Sequence, residues 1–391
     1  MKSETRDSLF RSLLKHVYYP SLDGLRTVAI GIVLCAHGGV PYFRSGGVGV
    51  DLFFVLSGFL ITTILITEQA RTGTISFRNF YARRFLRLAP ALFLTCGFVG
   101  VAMTWAEGRF PGTEIALSLS YTANWAIAFY NYHLTWLNHC WSLSIEEQFY
   151  LIWPLAILGL ERAVRNPATK IRLLVIGAAV IAIYRATRVG VYTDERINFG
   201  LDTRMDTLMT GAALAYFVHN LPGRRLSDRL SKVLGRMAAP VGFVGVLAVI
   251  HIVTWYSPWM GWIGYVLVAG AAMLVIADLV IGRHSLLAKP LAWGPMVWIG
   301  RISYGLYLYH LPVYYLVEKI MPDQPLGVRL SVKVMVSLSL AAASFYLVEK
   351  KFLRLKDRFE SKAVRKEAAA TVEIPIGGRV GENPCARGIE A

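Results

Sequence analysis

The apolar residues of this chain fall in long blocks, not at the alternating or 3.6-residue intervals of a half-buried strand or helix. Each block approaches the roughly 20 residues needed to cross a hydrocarbon core about 30 Å thick. Inside lipid every backbone N–H and C=O must be bonded within the segment, so each block predicts a helix. Ten spans are expected, centred near residues 30, 58, 95, 150, 180, 211, 247, 270, 307 and 338. The first is the weakest. Its apolar run starts only at Val28, and Asp23, Arg26 and His37 lie along it. The sixth is short, with Asp202, Arg204 and Asp206 at its start. The expected fold class is all-α, a polytopic transmembrane bundle.

Composition and charge add a topology. Of 391 residues, 55% are hydrophobic and 17% charged, against about 25% charged in an ordinary soluble domain. The net charge is +16. With the N-terminus inside and ten spans, the cytoplasmic segments collect 30 of the 41 Lys and Arg residues. That bias places both termini in the cytoplasm. Basic residues gathered at membrane boundaries, not on one folded face, remove nucleic acid as the partner. The polar N-terminal stretch has no small-residue cleavage pattern, so no cleavable signal peptide is expected. Cys35, Cys96, Cys140 and Cys385 show no paired spacing, which predicts neither a disulfide framework nor a metal site. Three parts follow: a polar, cytoplasmic segment over 1–19, a transmembrane domain over 20–355, and a basic tail over 356–391 with a disordered composition.

Ionisable residues inside spans are costly, which makes them functional candidates. Arg26 and His37 are eleven positions apart, a turn of about 1100° and a rise of about 16 Å, so they share one helix face. Arg26 sits near the cytoplasmic mouth and His37 deeper, toward the far half. Asp23, three residues before Arg26, is spaced to pair with it. The plain alternative is a satisfied buried histidine beside a snorkelling arginine. The glycines before Asp51 precede a span instead of following a buried strand, which weakens a nucleotide-loop reading. Ser57 and Gly58 suit close helix packing, while Asp51 is open to a functional or a structural role. Arg84 and Arg87 face the same way and make either a bidentate phosphate clamp or a boundary anchor. Glu146 and Glu147 follow Trp141-Ser142-Leu143-Ser144 at the start of an apolar helix, where the dipole partly stabilises them. The topology puts that start on the non-cytoplasmic side, where an acceptor or a proton path would enter.

Jointly these blocks resemble the acyltransferase-3 family of membrane O-acyltransferases. The residues that carry the resemblance are Arg26 with His37, the run Gly49 to Gly58, Arg84 with Arg87 after Tyr81, and Trp141 to Glu146 with Gln148-Phe149-Tyr150. Further on come Arg204-Met205-Asp206, the run Ile302 to His310, and Tyr346 to Glu349. The match spans about residues 18–355 and departs at Lys350-Lys351, where many members carry proline. Some members carry a fused hydrolase-like domain, for which these residues leave no room.

The resemblance implies transfer of an acyl group, acetyl first, from cytoplasmic acyl-CoA to a hydroxyl of a glycan, lipid-linked sugar or other acceptor, in a bacterial inner membrane and without metal. The CoA phosphates would suit Arg84 and Arg87, with Arg26 helping, and the pantetheine arm would bring the thioester along the first span. His37, with an unperturbed pKa of about 6.5, would be the general base. Glu146 would orient it or relay its proton, with Asp23 beside Arg26. Asp51, Ser57, Tyr81, Trp141, Ser144 and Gln148 are further site candidates. A transient acyl-histidine is the competing route. A transporter or flippase for a lipid-linked glycan is the reading from another class; it is disfavoured because polar density is confined to the N-terminal part and not repeated in both halves.

Overall fold

The computed structural model describes residues 18–43, 45–221, 226–356 and 359. The segment over 1–17, Arg224 and Arg225, Cys385 and the tail beyond Phe359 lie outside the described residues. Within them the chain is helical, without strands, and ten helices have 18 residues or more. In chain order the elements are α1 (Pro20–His37), α2 (Gly47–Thr72), α3 (Phe77–Glu107) and the short α4 (Gly112–Leu119) and α5 (Ala123–Tyr130). Then come α6 (Cys140–Ala163), α7 (Pro167–Arg188), the short α8 (Asp194–Phe199) and α9 (Leu201–Asn220). The last are α10 (Asp228–Ile252), α11 (Met260–Ile281), α12 (Gly294–Ile320) and α13 (Leu326–Leu355).

Seven of these, α2, α3, α6, α7, α10, α11 and α13, are apolar and long enough to cross a bilayer. The three long helices that fall short are α1, α9 and α12, and two of them are the weak spans of the sequence. Their polar side chains turn into the bundle. In α9, Arg204 pairs with Asp51 of α2 and Asp206 pairs with Arg185 of α7 at 2.7 Å; Asp51, Arg185 and Arg204 are 0% exposed. Charges buried away from lipid are tolerated only when paired in this way.

Glycines set the closest approaches. A Cβ on Gly58 would stand 1.9 Å from the Leu208 carbonyl oxygen, and one on Gly211 would stand 2.0 Å from that of Val55. The α2–α9 crossing therefore depends on both lacking a side chain. Gly300 plays the same part between α12 and α1, where a Cβ would meet the Asp23 carbonyl at 1.9 Å. The Thr27 hydroxyl donates to the Met296 carbonyl across the same contact, and the Tyr314 hydroxyl donates to the Leu34 carbonyl at 3.3 Å.

The segment between α3 and α6 is folded back onto the bundle. One carboxylate does most of this: Glu114 of α4 accepts the backbone N–H groups of Thr135, Trp136 and Leu137 at 3.0–3.1 Å. The Trp136 indole N–H reaches Glu107 at the end of α3, at 2.8 Å. This brings His139 inside and sets the level at which α6 begins.

Candidate functional site

Five helices, α1, α2, α3, α6 and α12, enclose a cavity of about 170 Å³ whose charged lining comes from Arg26, Arg83, Arg84, Arg87, Glu146 and Glu147. The arginines differ in what they touch. Arg83 is held by Glu68 at 3.0 Å and by the Phe359 carbonyl. Arg84 Nε donates to Glu147 at 2.7 Å, and its guanidinium lies 3.2 Å from the centre of the Tyr150 ring. Arg26, half-buried, and Arg87, exposed, form no hydrogen bond or ion pair with any described residue. So one cation of the expected Arg84–Arg87 clamp is already neutralised, and the unpaired cations are Arg87 and Arg26 from different helices.

The opposite wall presents Glu146. Its Oε2 accepts from the Ser57 hydroxyl and from the Tyr150 hydroxyl, both at 3.1 Å. Two sequence expectations change here. Glu146 forms no hydrogen bond with His37, whose ring partner is a second histidine. Nor does it sit at the non-cytoplasmic end: the Arg84–Glu147 bond and the bond from the Tyr81 hydroxyl to the Leu151 carbonyl at 2.7 Å bring it level with the arginines. The cause is the folded-back 131–139 segment, which starts α6 well below the end of α3. Asp23 does not pair with Arg26 either. Its carboxylate accepts from the Tyr18 hydroxyl at 2.7 Å and lies 3.8 Å from Arg301, because α12 offers a guanidinium on that face.

His37 is the last residue of α1, exposed, and does not line the cavity. Its ring partner is His310 of α12, with Nδ1 of His37 and Nε2 of His310 3.2 Å apart. His310 in turn has its Nδ1 on the Tyr307 carbonyl at 2.5 Å, and its ring centre is 5.1 Å from that of His139. Tyr307 is the shared wall. Its ring lines the cavity on one side and packs against His139 and His310 on the other, while its hydroxyl bonds Ser142 at 2.7 Å. From Tyr304, also in the cavity lining, to His310 is six residues of helix, a rise of about 9 Å. Arginines, carboxylate and histidines thus follow one another along α12.

A model of the acyltransferase domain matches residues 19–348, nearly the whole of the helical bundle. The chain belongs to this acyltransferase family. Curated relatives include the peptidoglycan O-acetyltransferase OatA of Listeria monocytogenes, 33% identical over 85% of this chain and 55% of that protein. The O-acetyltransferase OatA of Staphylococcus aureus is 33% identical over 76% of this chain and 50% of its own length. The chain spans about half the length of these relatives. No solved structure matches it.

The remaining candidates divide between site and scaffold of this acyltransferase fold. Ser57 faces the cavity, whereas Gly58 beside it makes the helix crossing. Asp51 is buried and paired with Arg204, whose guanidinium is 3.7 Å from the centre of the Tyr265 ring. Trp141 packs on Phe54 and Phe199. The Ser144 hydroxyl donates to the Cys140 carbonyl at 2.9 Å, within its own helix. Gln148 donates to Asn124 and to the Tyr121 carbonyl, each at 2.8 Å, tying α6 to α5. Tyr150 and Tyr307 lie within the runs that carry the family resemblance but have no role assigned from it, and His139, beside Asn138, suggests from sequence only a His–Asn pair whose surroundings do not fit; a second histidine near His37 required knowing that α1 and α12 lie side by side. Among the described residues no cluster of three or more His, Cys, Asp or Glu could hold a metal ion.

Proposed function

We propose that this protein is a membrane O-acyltransferase that moves an acyl group, acetyl first, from acyl-CoA to a hydroxyl of a glycan, with His37 as general base. The observation that carries the reading is the succession of unpaired Arg26 and Arg87, the cavity wall at Tyr307, and the His310–His37 pair. Arginine suits the several phosphates of CoA because its fork bonds two oxygens at once. The narrow, partly apolar cavity beyond the arginines suits a pantetheine arm. The thioester must pass Phe53 and Tyr307, whose rings meet edge-to-face in the cavity lining, to reach His37. There the acceptor oxygen attacks the thioester carbon. The O–C bond forms, the C–S bond breaks, and the hydroxyl proton passes through His37 to the leaving thiolate. The similarity to the peptidoglycan O-acetyltransferase of Listeria monocytogenes supports a glycan acceptor.

The test uses purified protein in lipid discs with labelled acetyl-CoA and a peptidoglycan fragment. Label in the fragment, with one CoA released per acetyl moved, is expected. CoA-independent movement of a lipid-linked glycan, with no label transferred, would replace the enzyme by a transporter. A labelled His37 adduct that turns over at a competent rate would replace direct attack by a two-step route.

A further inference from the structure

His310 is fully buried in α12, and both of its ring nitrogens are engaged. The partner of Nδ1 is the Tyr307 carbonyl, which can only accept, so Nδ1 carries the proton. No carboxylate bonds the ring among the described residues, and His139 and Tyr307 pack against it, so the ring is neutral and Nε2 offers a lone pair. That lone pair faces Nδ1 of His37 at 3.2 Å, which makes His37 Nδ1 the donor. What remains is His37 Nε2, unprotonated, on an exposed residue at the end of α1.

We propose that His310 is a positioning residue that holds His37 in the Nδ1–H form and aims its Nε2 lone pair at the acceptor hydroxyl. The inference rests on His37 as the base. His310 takes the place that a carboxylate occupies in a Ser-His-Asp site, where the third member fixes the tautomer and orientation of the base. Being neutral, it does so without a buried negative charge, and it is itself fixed by a backbone carbonyl that no side-chain substitution removes. When His37 gains the acceptor's proton, its Nδ1–H keeps the same partner, so the charged ring does not have to turn. His139 differs. Its Nε2 is 3.1 Å from the Leu308 carbonyl and its Nδ1 has no partner, so it packs against His310 without entering the relay.

The experiment is nitrogen-15 NMR of histidine-labelled protein in lipid discs, read with kcat and the donor KM for wild type, His310→Leu and His310→Gln. The His37 signals are assigned by their loss in His37→Ala. The wild type is expected to show His37 protonated at Nδ1 and bare at Nε2. In His310→Leu that bias is lost and kcat falls about 10- to 100-fold, part of the 10²–10⁴ that a placed base contributes, with donor KM unchanged. His310→Gln, whose amide oxygen can accept from Nδ1–H, keeps kcat within a few-fold of wild type. If the leucine variant does not fold, the wild-type spectrum and the glutamine variant still decide. A wild-type His37 protonated at Nε2, an unshifted His37 spectrum in a folded His310→Leu, or a glutamine variant as impaired as the leucine one overturns the positioning role. Full transfer by His37→Ala would instead overturn the base assignment, whatever the tautomer.

Discussion

Arg87→Gln separates a phosphate site from a membrane anchor. A charge-assisted hydrogen bond contributes about 1.5–3 kcal/mol, and each 1.4 kcal/mol is about tenfold in affinity. Losing one guanidinium contact to a CoA phosphate should weaken donor binding by about 10- to 150-fold, with the exposed Arg87 at the lower end of that range. Stability should hold, because Arg87 has no partner to strand among the described residues. Arg84→Gln behaves differently. It leaves Glu147, whose side chain is only 19% exposed, without its cation, so it lowers both donor affinity and the unfolding temperature. Arg84→Gln/Glu147→Gln should recover the temperature but not the affinity. The assay is equilibrium binding of labelled acetyl-CoA in lipid discs alongside thermal unfolding. Acetyl-pantetheine, which lacks the phosphates, is the control and should bind wild type and Arg87→Gln alike. Acetyl-CoA affinity within twofold of wild type in Arg87→Gln would refute the cavity as the phosphate site.

Three further outcomes follow from the packing. Asp51→Asn leaves Arg204 buried and unpaired and should cost about 3–5 kcal/mol, read as a lower unfolding midpoint; an unchanged midpoint with transfer abolished would move Asp51 from scaffold to chemistry. Glu114→Gln offers one acceptor oxygen to three N–H groups and should cost about 1–3 kcal/mol and loosen His139, seen as faster amide exchange at 135–137. Gly58→Ala drives a Cβ into the Leu208 carbonyl and should cost at least the about 1–3 kcal/mol of an overpacked core, with Gly211→Ala failing in the same way; wild-type stability in either would mean that the α2–α9 crossing can open at little cost.

All ten long helices lie where the hydrophobic blocks put them, because the backbone's need for internal bonds in lipid leaves apolar runs no other form. Arg26, Arg84, Arg87 and Glu146 were legible for the converse reason: a charge placed inside such a run must have a partner or a use. What the sequence could not supply was which charge meets which. Local spacing suggests Asp23 with Arg26, yet α12 brings Arg301 to Asp23. The family resemblance suggests Glu146 for His37, yet the folded-back 131–139 segment lowers Glu146 and α12 brings His310 to His37 instead. Those choices are made by helix neighbours far apart in the chain. The α1–α12 and α2–α9 contacts are fixed by glycines whose role appears only when the backbones meet. The short helices α4 and α5 carry too few residues to stand out against the spans on either side.

In the proposed mechanism donor binding and proton transfer belong to different ends of one path. The most direct test measures both in one preparation, with acetyl-CoA binding and label transfer to a glycan fragment compared in wild type and His37→Ala. Unchanged donor affinity and transfer reduced by about 10²-fold or more are expected in His37→Ala. Wild-type transfer without the histidine, or no acetyl-CoA binding by the wild type, would contradict that mechanism.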